Sequence, residues 1–147
     1  MPNLVYNVGK EKIANGAIDL DTSTIKVMLV QSTYTVDADH GAIDDGTAAD
    51  PASHEISVSG YSRQTLATRT VTKDNTNDRA YLDADDATFA ALAAGQTIGG
   101  AIIFIDSGAD NTSYPIAFFD LTDTPTNGGN IVVQWAAGAS GGILTLA

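Results

Sequence analysis

The chain has no cysteine, and that absence alone removes disulfides, thiolate nucleophiles and zinc–sulfur centres from consideration. Basic residues are scarce as well, seven against 18 acidic ones, so the net charge is −11. A surface of that sign repels phosphate, which argues against nucleic acid and anionic membrane as partners. Glutamate is nearly missing: Glu11 and Glu55 are the two, and the remaining acid is aspartate. Aspartate disfavours helix interiors and favours turns and caps, so the acid is expected in loops. Aromatics make up only 7%, whereas Ala, Thr and Gly are abundant, a mixture that suits a thin β-sandwich with many turns. No apolar run approaches the roughly 20 residues of a membrane helix. The opening Met-Pro-Asn-Leu-Val-Tyr has neither the basic nor the apolar region of a secretory leader, so synthesis and folding in the cytoplasm are expected.

What is present is organised around Gly99 to Leu121. Two apolar runs rich in β-branched and aromatic residues flank the polar stretch Ser-Gly-Ala-Asp-Asn-Thr-Ser, the pattern of a β-hairpin in a β-core. At 147 residues the chain is read as a single β-domain spanning 1–147. Tyr6 to Asn15 reads as a short helix with Asn7 as its N-cap and Asn15-Gly16 as its stop. Thr24 to Gln31 reads as a strand buried on both faces, because its apolar residues run almost unbroken after Lys26. Residues 34–53 carry five aspartates and no hydrophobic period, and read as a long acidic loop. Glu55 to Ser59 is a candidate edge strand. Gln64 to Lys73 and Arg79 to Asp83 read as partner strands joined by the Asp74–Asp78 turn. Asp85 to Leu92 reads as a capped helical turn with Phe89 and Leu92 facing inward. Thr122 to Asn127 reads as a turn, followed by strands over Asn130–Ala136 and Ile143–Leu146. The fold class expected is all-β: a mainly antiparallel β-sandwich or jelly-roll-like barrel of about seven or eight strands with one or two short helices.

Patterns that could carry chemistry are few. Gly138-Ala139-Ser140-Gly141-Gly142 matches G-x-S-x-G, but a nucleophile elbow needs a following helix and a later histidine, and neither is there; a flexible hairpin turn is the reading. His40 and His54 flank the acidic loop, yet Asp37-Ala38-Asp39-His40-Gly41 satisfies only the first positions of a calcium loop, so a solvated loop is favoured and no metal is expected. Paired carboxylates for glycoside hydrolysis would need an aromatic-lined cleft, and Trp135, the single tryptophan, reads as core. No cofactor motif is found. Arg63, Arg69 and Arg79 are scattered singly; they suit either ion pairs with the excess aspartate or contacts to a partner protein.

Three blocks carry a resemblance: Asn3-Leu4-Val5-Tyr6-Asn7-Val8-Gly9-Lys10-Glu11-Lys12; Thr24-Ile25-Lys26-Val27-Met28-Leu29-Val30; and the run from Tyr81-Leu82-Asp83-Ala84 through Gly99-Gly100-Ala101-Ile102-Ile103 to Asn127-Gly128-Gly129-Asn130-Ile131-Val132-Val133-Gln134-Trp135. With them the chain resembles a family of small structural proteins of tailed bacteriophages. The resemblance implies a non-enzymatic virion component, most simply a capsid cement (decoration) protein. Such a protein binds the outer head shell, bridges capsomers and forms a homo-oligomer, dimer or trimer. The major capsid protein is then its partner and the outer capsid surface its location. Residues 1–12 are the expected docking arm, with Leu4, Val5, Tyr6, Arg63, Arg69 and Arg79 as candidate contacts. The alternative is a tail- or fibre-associated module that binds another tail protein or a host-surface glycan.

Overall fold

The computed structural model describes residues 2–147, with Ala139 described by its backbone alone. Its ten strands are β1 (Leu4–Val5), β2 (Ile25–Gln31), β3 (Gln64–Thr65), β4 (Thr70–Asp74), β5 (Arg79–Asp83), β6 (Ala87–Phe89), β7 (Thr97–Ile105), β8 (Tyr114–Pro125), β9 (Ile131–Val133) and β10 (Leu144–Leu146). There is one α-helix among the described residues, α1 (Asn7–Ala14), and three short 3-10 turns. The strands form a five-stranded sheet in the order β1-β8-β7-β2-β3, a three-stranded sheet β10-β5-β4 and the pair β6-β9, all antiparallel. The fold is therefore all-β and sandwich-like. No helix among the described residues is long and apolar enough to cross a membrane.

The β7–β8 hairpin is the spine of the large sheet. β2 lies against β7 from Ile25↔Ile105 to Gln31↔Ile98, with a register shift between Val30 and Gln31. Because side chains alternate along a strand, β2 feeds two cores. Ile25, Val27 and Leu29 face one cluster together with Ile103, Phe119, Leu82, Phe89 and Leu144, which joins the large sheet to the two smaller ones. Met28 and Val30 face the other way and pack with Phe104, Phe118, Tyr6, Tyr34 and Ile43. That second cluster is closed by residues of the acidic segment, where Tyr34, Ala42 and Ile43 are buried. Double-sided burial of β2 is thus as expected, and the expected loop is its second cover.

Several local readings are corrected. Tyr6, not Asn7, occupies the N-cap of α1; it is extended (φ −64°, ψ 147°) and makes no side-chain cap bond. The Asn7 amide Nδ2 instead donates to Asp39 Oδ1 at 2.6 Å. The helix does stop at Asn15-Gly16, with Gly16 at φ +76°. Residues 85–92 form no helical turn: Ala87–Phe89 pair with β9, and the Asp86 carboxylate accepts the N–H of Trp135 at 2.9 Å rather than capping its own segment. Phe89 and Leu92 still point inward. The strand expected over 64–73 breaks into β3 and β4 around Thr68, which lies at φ +53°. Over 55–59 only the bridge Val30↔Glu55 forms. The turn placed at 122–127 begins later, since β8 runs on to Pro125 opposite Thr97. β9 covers only Ile131–Val133. The count exceeds the expected seven or eight because very short strands, such as β1, β3 and β6, carry no readable period.

Candidate functional site

Residues 2–12 are part of the fold rather than a free arm. Leu4 and Val5 pair with Phe118 and Ala117 of β8. The Tyr6 side chain is fully buried, and its hydroxyl meets that of Tyr34 at 2.9 Å. Burial holds the Tyr6 phenol above its usual pKa, so the pair stays neutral. A buried tyrosine presents nothing to a partner, which removes Tyr6 from the contact candidates. Met1 lies outside the described residues.

The three arginines are likewise engaged inside the chain. Arg63 donates to Glu55 through Nε (2.8 Å) and Nη2 (2.7 Å), and to Asp110 through Nη1 (2.5 Å) and Nη2 (2.9 Å). Its guanidinium also lies over the Phe104 ring, 5.1 Å from the centroid. Tyr61 completes this knot: its hydroxyl donates to Glu55 Oε1 at 2.7 Å and accepts the N–H of Leu29 at 3.0 Å. Arg69 donates to the carbonyls of Leu20, Asp21, Ser23 and Leu66 and so staples the 19–23 turn to the start of β4. Arg79 bonds Asp74 at 3.0 Å across the β4–β5 turn and lies over Tyr81.

The acidic segment is ordered by its own aspartates. Asp37, Asp44, Asp45 and Asp50 each accept a backbone N–H two or three residues ahead. His40 is buried, with Nδ1 at 2.6 Å from Asp45. Among the described residues no group of three or more His, Cys, Asp or Glu is placed to hold a metal ion. Gly138–Ser140 is a 3-10 turn that leads from β9 in one sheet to β10 in another; it is a crossover, not the hairpin expected. Trp135 is half-buried against the main core, edge-on to Phe119 with centroids 5.0 Å apart.

What the sequence did not reveal is a groove of about 460 Å³ between α1 and β10. Val5, Ile13 and Ala14 form one wall and Leu144, Thr145 and Leu146 the other; Lys10 is its one charged lining residue. β10 pairs only with β5 and ends its sheet, and β1 ends the large sheet. The groove therefore sits where two open sheet edges come together. Leu146 is 52% exposed beside it. The signal available in the sequence was the Leu144-Thr145-Leu146 alternation; its pairing with α1 joins residues some 130 positions apart and has no local trace. Apart from Lys10 and the Thr145 hydroxyl, which donates to the Gly141 carbonyl, the lining is apolar side chain and, along β10, strand backbone. Comparison with protein-family models, curated proteins and solved structures yields no match for this chain.

Proposed function

We propose that this chain is a non-enzymatic virion component of a tailed phage: a capsid cement protein, made in the host cytoplasm, that binds the outer head shell as an oligomer and bridges capsomers. The observation that carries the reading beyond the resemblance is the groove between α1 and β10. An open edge strand beside an apolar slot accepts an extended chain by strand addition, with backbone hydrogen bonds for affinity and alternate side chains for fit. A shell protein's extended arm is the occupant this suits, with aliphatic side chains toward Ile13 and Leu144 and a carboxylate toward Lys10. The arginines first considered as contacts belong to the fold in this reading, and the contact residues become Leu146, Ile13 and Lys10.

The test is co-sedimentation of the purified protein with empty heads that lack it. Saturable binding at a fixed ratio to the major shell protein is expected. Leu146→Asp, at a position already half exposed, abolishes binding and leaves the melting temperature unchanged. Heads that bind the wild type and this variant equally would refute the groove as the contact. Heads that bind neither would refute the cement role in favour of a tail- or fibre-associated module.

A further inference from the structure

A second cavity, of about 170 Å³, opens between β8 and the segment that follows β9. Its aromatic wall is Phe119 and Trp135; Asn3, Asp120 and Gln134 bring polar groups to it. We infer that this cleft binds a single neutral sugar ring. The inference does not depend on the virion reading.

The indole is held rigidly before any ligand arrives. Its Nε1–H donates to the Asp85 carbonyl at 3.0 Å, its backbone N–H donates to the Asp86 carboxylate at 2.9 Å, and its ring stands at 62° to Phe119. A fixed aromatic loses little freedom on binding and offers a C–H-rich ligand a flat apolar surface. The polar groups are the complement of a hydroxylated ring. Asn3 Oδ1 accepts the Asp120 N–H at 2.7 Å, which fixes that amide and leaves its Nδ2 donors uncommitted. Among the described residues the Gln134 amide and the Asp120 carboxylate have no hydrogen-bond partner, and both residues are exposed. An amide donor, a second amide and a carboxylate acceptor match hydroxyls, each of which donates and accepts. At about 170 Å³ the cleft is smaller than the roughly 300–1,000 Å³ of a drug-sized ligand's site, which limits the occupant to a single ring.

Charge narrows the class. Asp120 lines the cleft, Asp85 and Asp86 hold the indole, and the chain carries −11, so sialylated or phosphorylated sugars are repelled. The competing occupant is an organic cation, which an aromatic and a carboxylate also suit. The two amides favour the sugar, because a quaternary ammonium takes no hydrogen bond from them.

Trp135 is the chain's single tryptophan, so its emission reports on this cleft alone. The intact protein is titrated with methyl β-glucopyranoside, methyl β-galactopyranoside, N-acetylglucosamine and tetramethylammonium chloride, with saturation-transfer NMR on the same samples. The expected result is saturable, millimolar binding of at least one sugar, independent of added sodium chloride. Asp120→Ala and Gln134→Ala, both at exposed positions, each weaken it by about tenfold or more while the melting temperature holds. Failure of all three sugars to bind by either readout overturns the proposal. So does binding of tetramethylammonium alone, weakened by salt, or sugar binding that both variants leave intact.

Discussion

Arg63→Ala tests whether the Glu55–Arg63–Asp110 knot holds the edge of the large sheet. Arg63 is 21% and Glu55 17% exposed, so the pair is neither a surface bridge nor a sealed one. An exposed pair contributes about 0–1 kcal/mol. Breaking a buried pair from one side costs about 3–5 kcal/mol, because the abandoned charge stays in place. Here alanine would leave the Glu55 carboxylate with the Tyr61 hydroxyl alone, and Asp110, at 37% exposed, free to turn to water. The Glu55 side dominates, and its partial solvation places the loss at about 2 kcal/mol. The lost contact with Phe104 adds about 0.5–1 kcal/mol. The sum, about 3 kcal/mol, corresponds to a melting temperature lower by about 6–12 °C for a domain of this size. Urea unfolding followed at constant m-value reads the difference directly. The mechanism, stranded charge, is read by a cycle with Glu55→Gln. The neutral amide in the Arg63→Ala background is expected to recover about 1 kcal/mol, with a coupling energy of about 1–2 kcal/mol between the two sites. A loss below about 1 kcal/mol would show the knot behaving as a surface bridge. An absent recovery would show that packing, not charge, was lost.

Two further outcomes follow from particular contacts. Gly9→Ala, in the first turn of α1, would gain up to about 1 kcal/mol from helix propensity alone. At this position a Cβ would lie 2.9 Å from Ile116 Cα and 3.1 Å from the Pro115 carbonyl oxygen, and backbone does not yield as a side chain does. The clash wins, and thermal denaturation should show a net loss of about 1–2 kcal/mol; a stabilised variant would show that α1 does not seat on β8 this closely. Acid unfolding tests Asp106, whose carboxyl is held below its usual pKa by the hydrogen bond from Lys26 Nζ at 2.6 Å and by the Gly108 N–H. A group depressed in the folded state contributes stability above its unfolded pKa, about 3.9, and that contribution fades as pH falls through the lower folded value. Asp106→Asn should therefore lower the melting temperature slightly at pH 7 and flatten its fall below pH 4; parallel curves for the two proteins would refute the assignment.

The parts of the fold that were legible in the sequence are those with a local period. Ile25–Gln31 shows an apolar run from Val27 to Val30, and 97–105 with 114–121 shows two runs around a polar turn, so the sheet's centre could be read directly. The Asp74–Asp78 turn with its two flanking strands was legible for the same reason. The misreadings have a common cause: a residue whose local preference was overruled by a distant partner. Asp86 has the chemistry of a helix cap but serves Trp135, 49 residues away. Asn7 has the same chemistry and serves Asp39. Leu4, Val5 and Tyr6 look like a terminal arm because two strand residues carry no period, yet β8 and Tyr34 hold them. The arginines were recognised as isolated charges, and only the fold shows that each one fastens a turn or a sheet edge.

The acidic segment makes the same point with a consequence for any assembly. Its aspartates mark it as solvated, and Asp37, Asp39, Asp44 and Asp45 are indeed exposed. Between them, Tyr34 and Ile43 turn inward to pack with Met28, Phe104 and Phe118, and without that cover the back of the large sheet would expose those side chains to water. The segment is thus a charged outer surface on an apolar underside, and it cannot leave the sheet to engage a partner without uncovering a core. Docking has to use surface that is already open. That requirement leaves the charged outer face of residues 34–53 and the sheet edges, and apolar groups are uncovered at the edge where β10 meets α1.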